Sequence, residues 1–157
     1  MKLKLLVVFV FMPFMLLAED HNHSRNEIGL SPGVIYSPEC NEWGFGLHIH
    51  YFRTVGHNDR WAVGGSIEQI ISDDTHYGVS VGASFRIVGG LAVSVSPGIS
   101  LMMNEDSGGY DYHYSTHFEL VYDAAHVKNF HFGPALGYAL SSHDSHFMLG
   151  AHAAYSF

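Results

Sequence analysis

Hydrophobic residues alternate with small or polar residues along most of the chain. In the segment from Trp43 to Tyr51 every odd position is apolar, while every even position carries glycine or histidine. The same alternation recurs over residues 28–36, 61–71, 77–87, 91–101, 118–122, 130–140 and 147–157. A period of two is that of a β-strand, whose successive side chains point to opposite faces. The sequence therefore predicts an all-β protein of about eight strands.

The two faces of these strands differ in a way that indicates a membrane-spanning barrel. One face is bulky and apolar, and the other consists mainly of glycine, serine, alanine and histidine. Charged residues make up only 14% of the chain, whereas a water-soluble sandwich needs a charged, solvated outer face. A tilted strand of about ten residues can cross a bilayer, and a sheet in lipid must close to pair its backbone. We therefore expect a closed antiparallel up-and-down transmembrane β-barrel with the small residues inside.

The N-terminal residues have the features of a cleaved export signal. Lys2 and Lys4 precede an apolar stretch over residues 5–17, and Ala18 provides a small residue at the expected cleavage site. The apolar stretch is shorter than the roughly 20 residues that a membrane-spanning helix needs. The sequence thus predicts an exported protein rather than one held by an N-terminal helix.

The export signal, the alternating strands and the C-terminal Tyr155-Ser156-Phe157 together resemble the small eight-stranded outer-membrane β-barrel proteins of Gram-negative bacteria. In that family the terminal aromatic residue is read by the outer-membrane assembly machinery, which is the partner implied for Phe157. The resemblance also implies contact with outer-membrane lipid, a monomer, both termini in the periplasm, short periplasmic turns and longer outer loops. The domains are then a signal peptide (1–18), a periplasmic N-terminal segment (19–26) and the outer-membrane β-barrel (27–157).

Charge separates between the two ends of the expected barrel. The outer loops fall at residues 37–42, 72–75, 103–112 and 141–145, and they carry acidic residues but no lysine or arginine. The periplasmic turns fall at 53–60, 88–90 and 123–128, and the basic residues lie at or near this end: Arg25, Arg53, Arg60, Arg86 and Lys128. A formal net charge of −8 argues against a nucleic-acid partner, because phosphates are also negative. The acidic outer rim either attracts cations or is an ordinary solvated surface.

Histidine is unusually abundant, at 13 residues, and several histidines fall on the small-residue face. Residues i and i+2 of a strand share a face about 7 Å apart, so pairs of His and Glu point into the lumen together. Imidazole and carboxylate ligate zinc, and imidazole also suits copper, nickel and iron. The sequence predicts a site for zinc or another divalent transition metal near mid-height, formed by His48, His50, Glu68, His117, Glu119 and His152. The alternative is a hydrogen-bonded plug of the same side chains, which also include His131.

Other histidines lie outside this luminal set. A second group falls in or beside the outer loops and forms either a loose capture site or solvated loop residues: His76, His113, His143 and His146. If cleavage follows Ala18, His21 becomes the third residue, and the new N-terminus could offer a nitrogen set for Cu(II) or Ni(II). Cys40 is the single cysteine, so no intramolecular disulfide is expected.

An enzyme is the least favoured interpretation. Some small outer-membrane barrels are lipid A hydrolases that use serine, histidine and an acid, and His113, Ser115 and Glu119 supply those residue types here. Ser115 and Glu119 share the luminal face, however, whereas a lipid substrate approaches from outside. The sequence therefore favours a non-enzymatic barrel that binds a metal. The alternatives are a structural or adhesion-type surface barrel and, after that, a lipid A-modifying hydrolase.

Overall fold

The computed structural model describes residues 25–72, 75–88, 90–104 and 109–157. These residues form nine strands: β1 (Asn26–Ser37), β2 (Glu42–Val55), β3 (Trp61–Ile71), β4 (His76–Val88), β5 (Leu91–Asn104), β6 (Gly109–Tyr122), β7 (Ala125–Val127), β8 (Phe130–Ser141) and β9 (His146–Ser156). Successive strands pair antiparallel, β9 pairs back to β1, and β6 and β7 both pair with β8 as one interrupted strand. The predicted closed antiparallel barrel of eight strands is confirmed. Across the described part of the chain, no helix has the length and apolar character needed to cross a membrane.

The connections agree with the sequence prediction except at two places. The turn expected at residues 123–128 instead contains the short strand β7, and the chain turns at residues 128–129. The loop expected at residues 103–112 is shorter, because β5 continues to Asn104 and β6 begins at Gly109. Met103 pairs with Tyr110, and both side chains are exposed on the apolar outer face, so the alternation continues into the expected loop. The proposed signal peptide and the acidic residues Asp73, Asp74, Glu105 and Asp106 lie outside the described residues.

The outer wall of the barrel is a belt of exposed apolar side chains that ends in aromatic pairs. At the end where β1 turns into β2 and β8 into β9 (the loop end), Tyr36 packs on Trp43 at 4.8 Å between ring centroids. At the end that carries Asn26 and Phe157 (the terminal end), Trp61 packs on Phe85 at 4.6 Å. Val, Leu and Ile side chains between these pairs are exposed. An apolar belt flanked by aromatic girdles is the surface that a barrel presents to lipid.

A proline in a strand that is paired on both sides is expected at a bulge or a strand end, and the sequence predicts this for Pro32, Pro97 and Pro134. Pro134 lies beside the interruption between β6 and β7, but Pro32 and Pro97 lie inside strands, opposite Leu47 and Thr116. The pairs on either side of Pro32 across the β1–β9 seam keep the same offset, so the expectation was wrong there. Because proline lacks an N–H, it removes one ladder bond without adding a residue.

We expect the folded protein to migrate differently in detergent gels before and after boiling, because a closed hydrogen-bonded barrel resists detergent until heated.

Phe157 contributes to closure: its N–H donates to the Asn26 carbonyl at 2.8 Å, and its carbonyl accepts from the Asn26 N–H at 3.0 Å. Deleting Phe157 removes these bonds and the ring, whereas Phe157→Ala removes the ring alone. If the ring is the assembly signal, both variants leave less heat-modifiable protein in the membrane. Normal assembly of Phe157→Ala would contradict that signal.

Candidate metal centre in the barrel lumen

The lumen has room for large polar side chains because their cross-strand partners are small. His50 on β2 lies opposite Gly29 on β1, and a Cβ on Gly29 would collide with the His50 ring and approach His152 Cε1 at 2.9 Å. Glu68 on β3 lies opposite Gly78 on β4, where a Cβ would make only ordinary contacts with it. The alternation of large polar and small residues around the barrel therefore positions the titratable groups along its axis.

All six side chains that the sequence places in the metal site point into the lumen: His48, His50, Glu68, His117, Glu119 and His152. His48, His50, Glu119 and His152 are only 3–6% exposed. They do not lie at one level as expected, however, because hydrogen-bond registers stagger the strands around the barrel. The six residues instead divide among three successive groups along the axis, two of which recruit a further residue.

The group nearest the loop end consists of Glu68, His117 and His146. Glu68 Oε2 lies 3.3 Å from His117 Nε2, and Glu68 Oε1 lies 3.5 Å from His146 Nε2. The carboxylate therefore faces a different imidazole with each oxygen. A cavity of about 20 Å³ borders this group and His48, which is room for about one water-sized particle.

The middle group consists of His48, His50 and Glu119. Glu119 Oε1 lies 3.5 Å from His48 Nδ1 and accepts a hydrogen bond of 3.0 Å from the Ser31 hydroxyl. Ser31 Oγ also lies 3.1 Å from His152 Nδ1. Because Ser31 gives its single proton to Glu119, it accepts from His152 Nδ1–H, and that tautomer leaves the lone pair of His152 on Nε2.

The group nearest the terminal end consists of Glu27, His50 and His152. Glu27 Oε1 lies 3.6 Å from His50 Nε2, and Glu27 Oε2 lies 3.9 Å from a guanidinium nitrogen of Arg86. His50 and His152 stack with ring centroids 5.3 Å apart. His50 thus belongs to two groups and connects the middle of the lumen to its terminal end.

Sequence reasoning missed Glu27 and misplaced His146. Glu27 is one residue before the predicted start of the first strand, but its odd position gives it the inward orientation of Ser31. His146 was assigned to the outer loops with His143, whereas it is the first residue of β9 and is buried opposite Ala139. Extending the alternation by one residue would have found Glu27, whereas the alternation already places His146 on the face of His152 and only its grouping with the outer loops was wrong.

His131 reaches the terminal end of the lumen, where Asp123 approaches it. Asp123 Oδ2 lies 3.4 Å from His131 Nδ1, and His131 Nε2 lies 2.6 Å from the Ser156 hydroxyl. Asp123 follows β6 and lies outside the spanning segments. Burial disfavours its charged form, but the neighbouring His131 outweighs burial, so the pKa of Asp123 is below its ordinary value.

The histidines of the outer-loop group line one cavity of about 20 Å³ at the loop end, which also borders Glu68 and His117: His76, His113, His143 and His146. His113 and His143 stack with centroids 4.7 Å apart, and Asp144 accepts a hydrogen bond of 2.9 Å from Ser37. Cys40 is exposed in the loop between β1 and β2. The paired rings of His113 and His143 bring two of the predicted capture residues together, while His146 belongs to the lumen.

Charge balance is the main electrostatic feature of the lumen. Within the described residues, the basic groups at ion-pair distance from Glu68 and Glu119 are all histidines. A buried carboxylate needs a compensating positive charge, so these glutamates require protonated imidazole, a metal ion or a proton of their own. Among the described residues, four buried ring nitrogens have no hydrogen-bond partner: His48 Nε2, His50 Nδ1, His131 Nδ1 and His146 Nδ1.

Comparison with known proteins identifies the architecture. No protein-family model matches the sequence, and no curated protein matches it. The N-terminal β-barrel domain of OprF from Pseudomonas aeruginosa aligns with a TM-score of 0.52 and 17% identity over 86% of this chain and 100% of that chain. The Yersinia pestis outer membrane protein Ail, in a phospholipid bilayer nanodisc, aligns with a TM-score of 0.50 and 17% identity over 84% and 99%. Neisserial surface protein A aligns with a TM-score of 0.50 and 15% identity over 84% and 96%. The chain therefore has the fold of the small eight-stranded outer-membrane β-barrels, as its sequence pattern predicts.

Proposed function

We propose that this protein is a non-enzymatic barrel of the bacterial outer membrane that binds a divalent transition metal, with zinc-type chemistry, in its lumen. The observation that carries the proposal is the Glu68 carboxylate, whose side chain is 9% exposed and which faces His117 and His146 at 3.3 and 3.5 Å. Such a site suits metal binding or an accessory role in metal acquisition. The apolar outer belt and the outer-membrane fold support the location.

The spacing of these groups matches metal ligation better than direct hydrogen bonding. Charge-assisted N–H···O bonds are about 2.7–2.9 Å long. Ligand atoms bound at about 2.0–2.1 Å to a tetrahedral zinc lie about 3.3–3.4 Å from one another. The 3.3 Å between Glu68 Oε2 and His117 Nε2 falls at that separation, while His146 Nε2 lies 3.5 Å from the other oxygen, Oε1. The adjoining cavity of about 20 Å³ accommodates one ion. A bound dication also supplies the positive charge that the buried glutamates need.

The competing function is a structural or adhesion-type barrel whose lumen is a plug. In that case protonated imidazoles balance Glu68 and Glu119, and no metal is needed. The hydrogen bonds from Ser31 to Glu119 and between Ser31 and His152 favour this alternative, because they show that part of the lumen is already satisfied. A lipid A hydrolase is the weakest candidate, since Ser115 is 2% exposed and faces away from lipid.

The test is zinc binding to the protein folded in detergent, measured by calorimetry and by metal content after dialysis. We expect wild type to bind zinc and to gain thermal stability from it. His48→Ala/His50→Ala/His152→Ala removes imidazoles from the middle and terminal groups, and Glu68→Gln removes the carboxylate of the loop-end group with little change in shape. His57→Ala removes an exposed imidazole that belongs to none of the groups and is the matched control.

The proposal requires that Glu68→Gln or the triple variant retain less zinc than wild type, while the control retains the wild-type amount. Heat-modifiable migration of each variant verifies that the barrel has closed. Equal zinc content in wild type and in both luminal variants means that the luminal site does not exist. Absence of zinc from wild type, with no stability change on adding it, identifies the plug.

A further inference from the structure

A second cluster of metal-ligating side chains lies outside the luminal groups, at the terminal end of the barrel. Asp123, His126 and His131 form this rim cluster, in which one potential ligand atom from each residue lies within 4.8 Å of the others. Asp123 lies between β6 and β7, His126 lies on β7 and His131 on β8. The cluster is therefore built by the interruption that separates β6 from β7.

A β-bulge brings the three residues to one face. Val121 pairs with Ala135 and Ala125 pairs with Phe132, so three residues on one strand oppose two on the other. Gly133 permits this because a Cβ there would collide with the Tyr122 carbonyl. The bulge is held by hydrogen bonds from Asp123 N–H to the Gly90 carbonyl (3.0 Å) and from Ala124 N–H to the Phe132 carbonyl (2.9 Å).

The extra residue changes the direction of the side chains that follow it. Odd residues of β6 face the lumen, so strict alternation would turn Asp123 inward and His126 outward. After the bulge, His126 lies directly opposite His131, which places both imidazoles on the same face as Asp123. Bulges commonly re-aim side chains in this way at binding sites. The alternation of apolar and polar residues in the sequence does not reveal this bulge.

The rim cluster holds buried polar atoms that lack a partner within the protein. His131 is 7% exposed, and neither its Nδ1 nor Asp123 Oδ1 has a hydrogen-bond partner. His131 Nε2 lies 2.6 Å from Ser156 Oγ, which can accept the Nε2 proton and leave the lone pair on Nδ1. A histidine that ligates a metal through one nitrogen normally donates from the other to such an outer group.

We propose that the rim cluster is a solvent-accessible site for a divalent transition metal of the zinc type, held by Asp123, His126 and His131. The 3.4 Å separation between Asp123 Oδ2 and His131 Nδ1 matches the spacing of two ligands on tetrahedral zinc, about 3.3–3.4 Å. His126 is exposed and supplies the third ligand from the water side. A cavity of about 500 Å³ adjoins the cluster and leaves the fourth position open to water.

The rim site is separate from the luminal site, and we expect the two sites to release zinc at different rates. Glu27 Oε2 lies 3.8 Å from His131 Nδ1, and Glu27 Oε1 lies 3.6 Å from His50, so one carboxylate stands between the two sites. Zinc at the rim is expected to leave quickly to a soluble chelator, because His126 and the cavity face water. Zinc in the enclosed lumen is expected to leave slowly.

The experiment measures zinc binding and chelator-induced zinc release for the folded protein in detergent. His126→Ala removes an exposed ligand without touching the buried lumen, and Asp123→Asn removes the carboxylate charge. Both are expected to eliminate the fast-released zinc, with affinity at that site reduced at least about tenfold, since even outer-shell changes cost about 10–100-fold. His57→Ala removes another exposed imidazole at the same end and should leave the fast-released zinc unchanged.

The outcomes separate the rim site from the luminal site. Loss of fast-released zinc in His126→Ala supports the rim site whether or not the luminal variants alter binding, and any slow-released zinc that remains belongs to the lumen. If wild type has no fast-released zinc, or if His126→Ala and Asp123→Asn release zinc as wild type does, the rim site is wrong. Loss of stability in Asp123→Asn without any change in zinc would assign Asp123 and His131 to bracing the bulge.

Discussion

Replacing Gly150 with alanine is expected to prevent stable closure of the barrel. Gly150 on β9 pairs directly with Gly33 on β1 at the seam where the last strand meets the first. A Cβ on Gly150 would collide with the Pro32 carbonyl oxygen and would lie 3.0 Å from Gly33 Cα. These are backbone atoms in a paired strand, so they cannot move aside as a flexible side chain can. Overpacking costs about 1–3 kcal/mol where side chains can adjust, and the seam offers no such adjustment.

Gly78→Ala is the matched control for this prediction. Gly78 also lies in a strand and faces the lumen, but its added Cβ would meet Glu68 Cβ at 3.4 Å and Glu68 Oε2 at 3.6 Å, which are ordinary contacts. The measurement is the fraction of refolded protein that shows heat-modifiable migration. We expect that fraction to collapse for Gly150→Ala and to stay near wild type for Gly78→Ala. Equal folding of both variants would show that the seam tolerates separation of β1 and β9.

The barrel could be predicted from the sequence because the structural requirement that produces it repeats every two residues. Each strand must present one face to lipid and the other to a narrow lumen, and this requirement is written into the sequence as a period of two. The same periodicity placed His48, His50, Glu68, His117, Glu119 and His152 inside. The period of two does not depend on how the strands are staggered. It therefore predicted both the fold class and the residues that point into the lumen.

The grouping of the luminal residues was not predictable in the same way. Which residues share a level depends on the pairing registers of several strands, and these are non-local. The register pairs His48 with Glu68 across β2 and β3, while Glu68 meets His146 only because the barrel closes. His126 was hidden for a different reason, since the bulge after β6 reverses the alternation on which the prediction relied.

Lowering the pH from about 7.5 to about 5.5 is expected to weaken zinc binding in the lumen. Zinc binds neutral imidazole, so a proton on a ligating nitrogen competes directly with the metal. An ordinary carboxyl group stays ionised at this pH, so the loss comes from the histidines. Calorimetric titration with zinc at the two pH values measures it.

The same acidification should leave the zinc-free barrel folded, because imidazolium then supplies the positive charge that the buried glutamates need. Glu68 faces His117 and His146, and Glu119 faces His48, so each carboxylate has at least one imidazole that can take up a proton. Heat-modifiable migration at both pH values checks this. Zinc affinity that does not change between them would mean that the ligands are not imidazoles. Loss of the folded band at the lower pH would mean that weaker binding reflects unfolding rather than competition between protons and zinc for the same nitrogen atoms.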